Sequence, residues 1–141
     1  MIDKKDILIL NELKADASAS IRAIAAKLGM RPSTVHQRIR RLKAERAIEK
    51  FTVKVSDAAV GEEFIAFMLV KVRPGQKIEG STLGKPCIKE VFGITGSHDV
   101  LLKMKFRDIG EFNSFVLEFR KEPFVRSTLT LVATVKIKED I

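Results

Sequence analysis

Apolar positions follow helical spacing in the first third of the chain and strand spacing after it. Ile7, Leu10 and Leu13, with Leu8 beside them, predict a helix from Asp3, an N-cap type, to about Ala15. Asp16–Ala19 reads as a connection. Ser20 suits the cap of a second helix, in which Ile21, Ile24, Ala25 and Leu28 follow at i, i+3, i+4 and i+7. Gly29 ends that helix at a position that takes positive φ, and Met30 and Arg31 make a turn. Pro32 then fits the first position of a third helix, where its missing N–H has no intrahelical partner. This helix is expected to reach Lys43 or Ala44, with Val35, Ile39 and Leu42 facing inward.

The spacing of Ala25, Gly29 and Val35 is informative. It places a small residue where two helices cross, a glycine in the turn and an apolar anchor in the second helix. Residues 20–43 therefore read as a helix-turn-helix, a motif whose second helix enters the DNA major groove. Phe51 to Val55 alternates at period two and predicts a strand. The expected unit is a winged helix-turn-helix over residues 1–55, with a connector over 56–62.

Residues 63–141 change period. Phe64–Val72 predicts a strand that is apolar on both faces, Ile78–Leu83 a short helix, and Ile88–Thr95 and Val100–Phe106 two further strands. Asp108 caps a helix with the stripe Phe112, Phe115, Val116 and Phe119, Pro123 blocks its extension, and Val125–Ile137 predicts a long last strand. The order βαββαβ is that of a ferredoxin-like domain, so the fold class is α+β. Both helices would cover one sheet face. The other would keep apolar side chains from the first and third strands with nothing left in the chain to cover them, which predicts a homodimer.

Charge sharpens this picture. The net charge of the 141 residues is +8. Residues 1–50 carry 12 Lys/Arg against 6 Asp/Glu, whereas residues 51–141 carry 14 against 12. A solvated face would show the same excess, but here it falls on the helix-turn-helix, where a polyanion is bound. One cysteine, Cys87, permits no internal disulfide, and the first residues lack the layout of a signal peptide, so a cytoplasmic location is expected. No apolar run approaches the roughly 18 residues of a membrane span.

The third helix supplies the chemistry. Ser33, Thr34 and Gln37 lie near its start, where base edges are reached. Gln37 pairs bidentately with adenine and Arg38 with guanine in the expected arrangement. Arg31, Arg40 and Arg41 are assigned to phosphates, which fix position and not sequence. His36 is a further candidate contact, although an ordinary surface histidine would look the same. Beyond carboxylates and amines the chain offers only His36, His98 and Cys87, with no metal-ligand or triad spacing, so neither enzyme nor cofactor chemistry is expected. A low-specificity protein that wraps DNA would use the same basic helix and is the alternative reading.

Three stretches together resemble the Lrp/AsnC family of leucine-responsive, or feast/famine, regulators across essentially the whole chain. They are Ile9–Leu13 with Asp16; Ile24–Gly29 running into Ser33–Leu42; and Thr95–Leu102 with Pro86–Val91 ahead of it. The resemblance implies dimerisation through the sheet, assembly into higher oligomers such as octamers, and a small amino-acid effector held near the loop Gly96, Ser97, His98 and Asp99. Backbone N–H groups there suit a carboxylate, and Asp99 suits an ammonium. A remote resemblance to sirohaem decarboxylases of related architecture is the enzymatic alternative. Three residues depart from the family pattern: Ala47 where glycine is common, Arg31 where a Ser-type cap is usual, and Ser97 where an acid or asparagine is frequent.

Overall fold

The computed structural model describes residues 1–141, which form two compact units, Met1–Lys54 and Val55–Ile141. The first unit holds α1 (Lys4–Ala15), α2 (Ile21–Leu28) and α3 (Pro32–Ala44). Each start has a local cause. The Asp3 carboxylate accepts from the Asp6 N–H and the Asp6 carboxylate accepts from the Asp3 N–H, a reciprocal capping box. Ser20 Oγ accepts from the Ala23 N–H to open α2, and Gly29, at φ 64°, closes it in the left-handed region. Pro32 opens α3, but Arg31 before it makes no side-chain capping bond.

Ile9, Ile24, Ala25 and Val35 form the core of this unit, joined by the half-buried Leu13, Leu28 and Ile39. The stripe expected on α1 is thereby corrected. Ile7 and Leu8 are exposed, and the buried positions are Asp6 and Ile9. A carboxylate takes the place in the repeat where an apolar residue was sought.

The expected wing strand does not form. Residues 51–55 lie outside any strand, with Phe51, Val53 and Val55 exposed. A strand exists only when its backbone groups pair with another, and the three helices offer no edge. Phe51 instead lies under the Lys43 ammonium, 5.5 Å from the ring centroid. After α3 the residue in the left-handed region is Arg46, at φ 57°. The Ile48 N–H reaches back to the Leu42 carbonyl across it, so the strain of that turn falls on Arg46 and not on Ala47.

In the second unit, Ser56 caps a single helical turn, α4 (Asp57–Val60), within the segment expected to be a connector. Then follow β1 (Phe64–Val72), α5 (Gly80–Leu83), β2 (Ile88–Gly93), β3 (Val100–Phe106), α6 (Ile109–Phe119) and β4 (Val125–Val132). The strands form one antiparallel sheet in the order β2-β3-β1-β4. On its covered face Ala66, Met68 and Val70 pair with Met104, Leu102 and Val100, and all six are buried against Phe112, Phe115, Val116 and Phe119 of α6. The Asp108 carboxylate caps α6 by accepting from the Glu111 N–H, as the sequence predicts.

On the open face Phe67, Leu69 and Leu101 are half-buried, while Phe92, Leu129 and Leu131 are exposed. The chain covers one end of this face itself, which corrects the expectation of a β4 running to Ile137. The strand stops at Val132, and Glu139 returns to Lys103 at 2.6 Å and to Lys105 at 2.8 Å. Asp57 binds Lys105 and Lys136, and Ile65 is buried at this end. Burial pushes the Lys105 ammonium down, but Asp57 and Glu139 more than offset that and hold it above its ordinary value. No helix is long and apolar enough to cross a membrane.

Candidate nucleic-acid interface and effector loop

No residue from Pro32 to Ala44 is acidic, so α3 presents only neutral and basic side chains. Val35 and Leu42 are fully buried and set the inward side of the helix. Arg31, Ser33, His36, Gln37 and Arg40 are exposed, and Thr34 is half-buried. These six lie at the start of α3 and on its sides away from Val35 and Leu42.

The two remaining arginines are placed differently. Arg38 was expected to read guanine. Its Nη1 instead donates to the Asp3 carboxylate and to the Asp6 carboxylate, each at 2.7 Å, and the side chain is only 21% exposed. Arg41 donates through Nη2 to the other oxygen of Asp6 and lies 3.9 Å through Nε from Glu45, yet is 42% exposed. Its other N–H groups therefore remain near solvent. The two acids and the two arginines share an i, i+3 spacing, a signal present in the sequence but hidden by the motif around it.

These contacts leave their mark on the ionisation. The Arg38 hydrogen bond, then the Asp6 N–H, hold the Asp3 carboxyl down to about 2. Burial pushes Asp6 up, but the Asp3 N–H and the two arginines outweigh it and keep this carboxyl below its ordinary value. Arg38 is raised in turn, first by Asp3 and then by Asp6.

In the second unit the loop between β2 and β3 is tied to the end of β1. The register of β1 with β4 shifts between Lys71 and Val72, and the Val72 N–H there donates to the Asp99 carboxylate at 2.8 Å. The Asp99 N–H donates to the Val70 carbonyl, and the Ile94 N–H to the Asp99 carbonyl, both at 2.9 Å. Gly96 has φ 110°, which favours glycine. Ser97 Oγ lies 2.9 Å from His98 Nδ1. Asp99 thus shapes the loop with one carboxylate oxygen. No group of His, Cys, Asp and Glu is placed to hold a metal. Cys87 is half-buried against the core, and burial pushes its thiol up, away from the reactive thiolate.

Comparison with known proteins decides the family. Residues 2–43 match the AsnC-type helix-turn-helix domain, and residues 65–141 match the Lrp/AsnC ligand-binding domain. The chain belongs to the Lrp/AsnC family of transcriptional regulators. An HTH-type transcriptional regulator of Pyrococcus furiosus is 37% identical, covering 100% of this chain and 98% of that protein. The HTH-type transcriptional regulator FL11 of Pyrococcus horikoshii is 38% identical, covering 98% of this chain and 91% of that protein. Among solved structures, a transcriptional regulator of Neisseria meningitidis in complex with L-Met superposes with a TM-score of 0.93 at 23% identity, covering 99% and 94% of the two chains. LrpC of B. subtilis does so with a TM-score of 0.88 at 23% identity, covering 98% of each chain. The family consists of DNA-binding regulators and not enzymes, which sets aside the decarboxylase reading.

Proposed function

We propose that this Lrp/AsnC regulator is sequence-specific and acts as a homodimer that lays α3 of each copy in the major groove of promoter DNA. The observation that carries this reading is α3 itself. It is an acid-free helix whose buried side is fixed by Val35 and Leu42, and whose exposed side bears Ser33, Gln37 and Arg40. Thr34 and His36 flank that side, and Arg31 with the outer N–H groups of Arg41 meets phosphates. A single small helix-turn-helix binds weakly, so pairing two copies doubles both contact and information.

The open sheet face is the surface for pairing. Phe92, Leu129 and Leu131 are exposed on it beside Phe67, Leu69 and Leu101. Exposed apolar area of this kind is covered in stable proteins, and a second copy covers it symmetrically. Higher assemblies, such as octamers, build on that dimer.

An amino acid is the proposed effector, bound at the loop Gly96–Asp99 near a subunit interface. The L-Met complex of the Neisseria meningitidis protein and the ligand-binding family of residues 65–141 support this class of ligand. Asp99 retains one carboxylate oxygen for an ammonium, and Gly96, Ser97 and His98 contribute backbone N–H groups for a carboxylate. The site of action is the compartment that holds the DNA, the cytoplasm in a prokaryotic cell.

Selection of bound DNA from a random pool, repeated with each amino acid added, tests the reading. An enriched motif with two half-sites about one helical turn apart is expected. Recovery of random sequence at every condition would favour the DNA-wrapping alternative.

A further inference from the structure

Arg38 follows Gln37 in α3, yet the two side chains face different ways. The helix turns about 100° per residue. Val35, Ile39 and Leu42 define its inward side, and Ser33, Gln37, Arg40 and Ala44 follow at i, i+4, i+7 and i+11 on the opposite side, all four exposed. Arg38 lies on the flank beside the start of α1, where Asp3 and Asp6 take its guanidinium at 2.7 Å each. Those carboxylates are themselves fixed, because each accepts the other's backbone N–H in the capping box.

Swinging Arg38 out to a base would break two charge-assisted bonds and leave the wholly buried Asp6 with Arg41 as its one cation, beside the Asp3 N–H. Arg40 has no such ties: no hydrogen bond or ion pair engages it, and it stands on the same exposed stripe as Gln37. Three residues apart, they are offset by about 4.5 Å along the helix. Base pairs stack at roughly 3.4 Å, so the two side chains reach neighbouring pairs.

We propose that Arg38 is a positioning residue, held by Asp3 and Asp6 to fix the rotational setting of α3, and that Arg40 beside Gln37 is the arginine that reads base edges. The assignment rests on the reading of α3 as the groove-entering helix. It reverses the roles that sequence position alone gives these two arginines. Arg40 offers the bidentate fork that matches guanine O6 and N7, and Gln37 the amide that matches adenine N6 and N7.

The test is selection from a random DNA pool by the full chain and by Arg40→Ala, Arg38→Ala and Asp3→Asn, with melting of each protein recorded. Arg40→Ala is expected to lose about tenfold discrimination at one base-pair position in each half-site, with melting unchanged. Arg38→Ala is expected to melt earlier and bind all selected sites less tightly, with the same base preferences. Should Arg38→Ala not fold, Asp3→Asn carries the test. Loosening the clamp is expected to lower the ratio of selected-site to random-DNA affinity at fixed salt. A base-reading Arg38, freed from Asp3, would raise it.

Loss of one base preference in Arg38→Ala with melting unchanged would overturn the proposal. So would a uniform loss on all DNAs in Arg40→Ala, with the salt slope reduced by about one, which marks a phosphate contact. A wild-type chain that enriches no sequence overturns the sequence-specific reading of α3 on which the assignment rests, a result distinct from either exchange of roles.

Discussion

The buried Asp6 carboxylate near the start of α1 accepts from the Arg38 guanidinium in the middle of α3 at 2.7 Å, across 32 residues of sequence. The contact ties the first helix of the unit to the helix expected to meet DNA. It gives Asp6 a structural weight that a surface acid lacks.

Asp6→Ala should therefore cost about 2–3 kcal/mol of stability. That is somewhat under the value for breaking a fully buried pair, because Arg41 stays 42% exposed and regains solvent. Urea unfolding followed by helical circular dichroism measures it. A loss under about 0.5 kcal/mol would mean that the cluster contributes no more than an ordinary surface pair.

Acid should destabilise both units through lowered carboxyl groups. Asp3 is held to about 2 by Arg38 and then the Asp6 N–H, against an ordinary 3.8. Glu139 is held to about 2 by Lys103 and then Lys105, against an ordinary 4.5. Folded values below unfolded ones mean that the stabilisation is complete above about pH 5 and drains away as pH falls toward 2. The urea midpoint should thus fall between pH 5 and pH 3. A midpoint that held or rose over that interval would count against these ion pairs.

Arg46→Gly should raise stability by about 0.5–1 kcal/mol. Relief of a left-handed conformation at φ 57° outweighs the extra freedom glycine gives the unfolded chain. The same denaturation assay reads the change. A decrease would show that the Arg46 side chain makes a contact worth more than the strain.

Leu131→Glu places a charge on the β4 edge of the open sheet face, beside Phe67. Sedimentation of this variant should show monomers where the parent chain shows dimers or larger assemblies, with circular dichroism unchanged. An unaltered assembly would move the pairing surface elsewhere.

What was legible in the sequence was what short-range chemistry decides. Asp3, Ser20 and Asp108 each cap the helix that follows by a bond three residues long, and Gly29 and Pro32 bracket the turn between α2 and α3. The α6 stripe and the bounds of β3 follow from periodicity alone. The misreadings have a common cause, which is a partner distant in sequence. Asp6 is buried because Arg38 and Arg41 come to it, so an apolar repeat on α1 points to the wrong face. The segment 51–55 alternates as a strand does but meets no edge, and β4 ends early because Glu139 turns back to Lys103 and Lys105. The hold of Asp3 and Asp6 on Arg38 is likewise a contact between residues far apart in sequence, invisible in the periodicity of α3.

Sequence-specific binding through α3 is read out by the ratio of affinities for a selected site and for random DNA of equal length at one salt concentration. The ratio should be at least about 10³, the lower range for specific regulators, and should collapse in Gln37→Ala while random-DNA affinity holds. A parent ratio near one, or equal losses on both DNAs in Gln37→Ala, would contradict it.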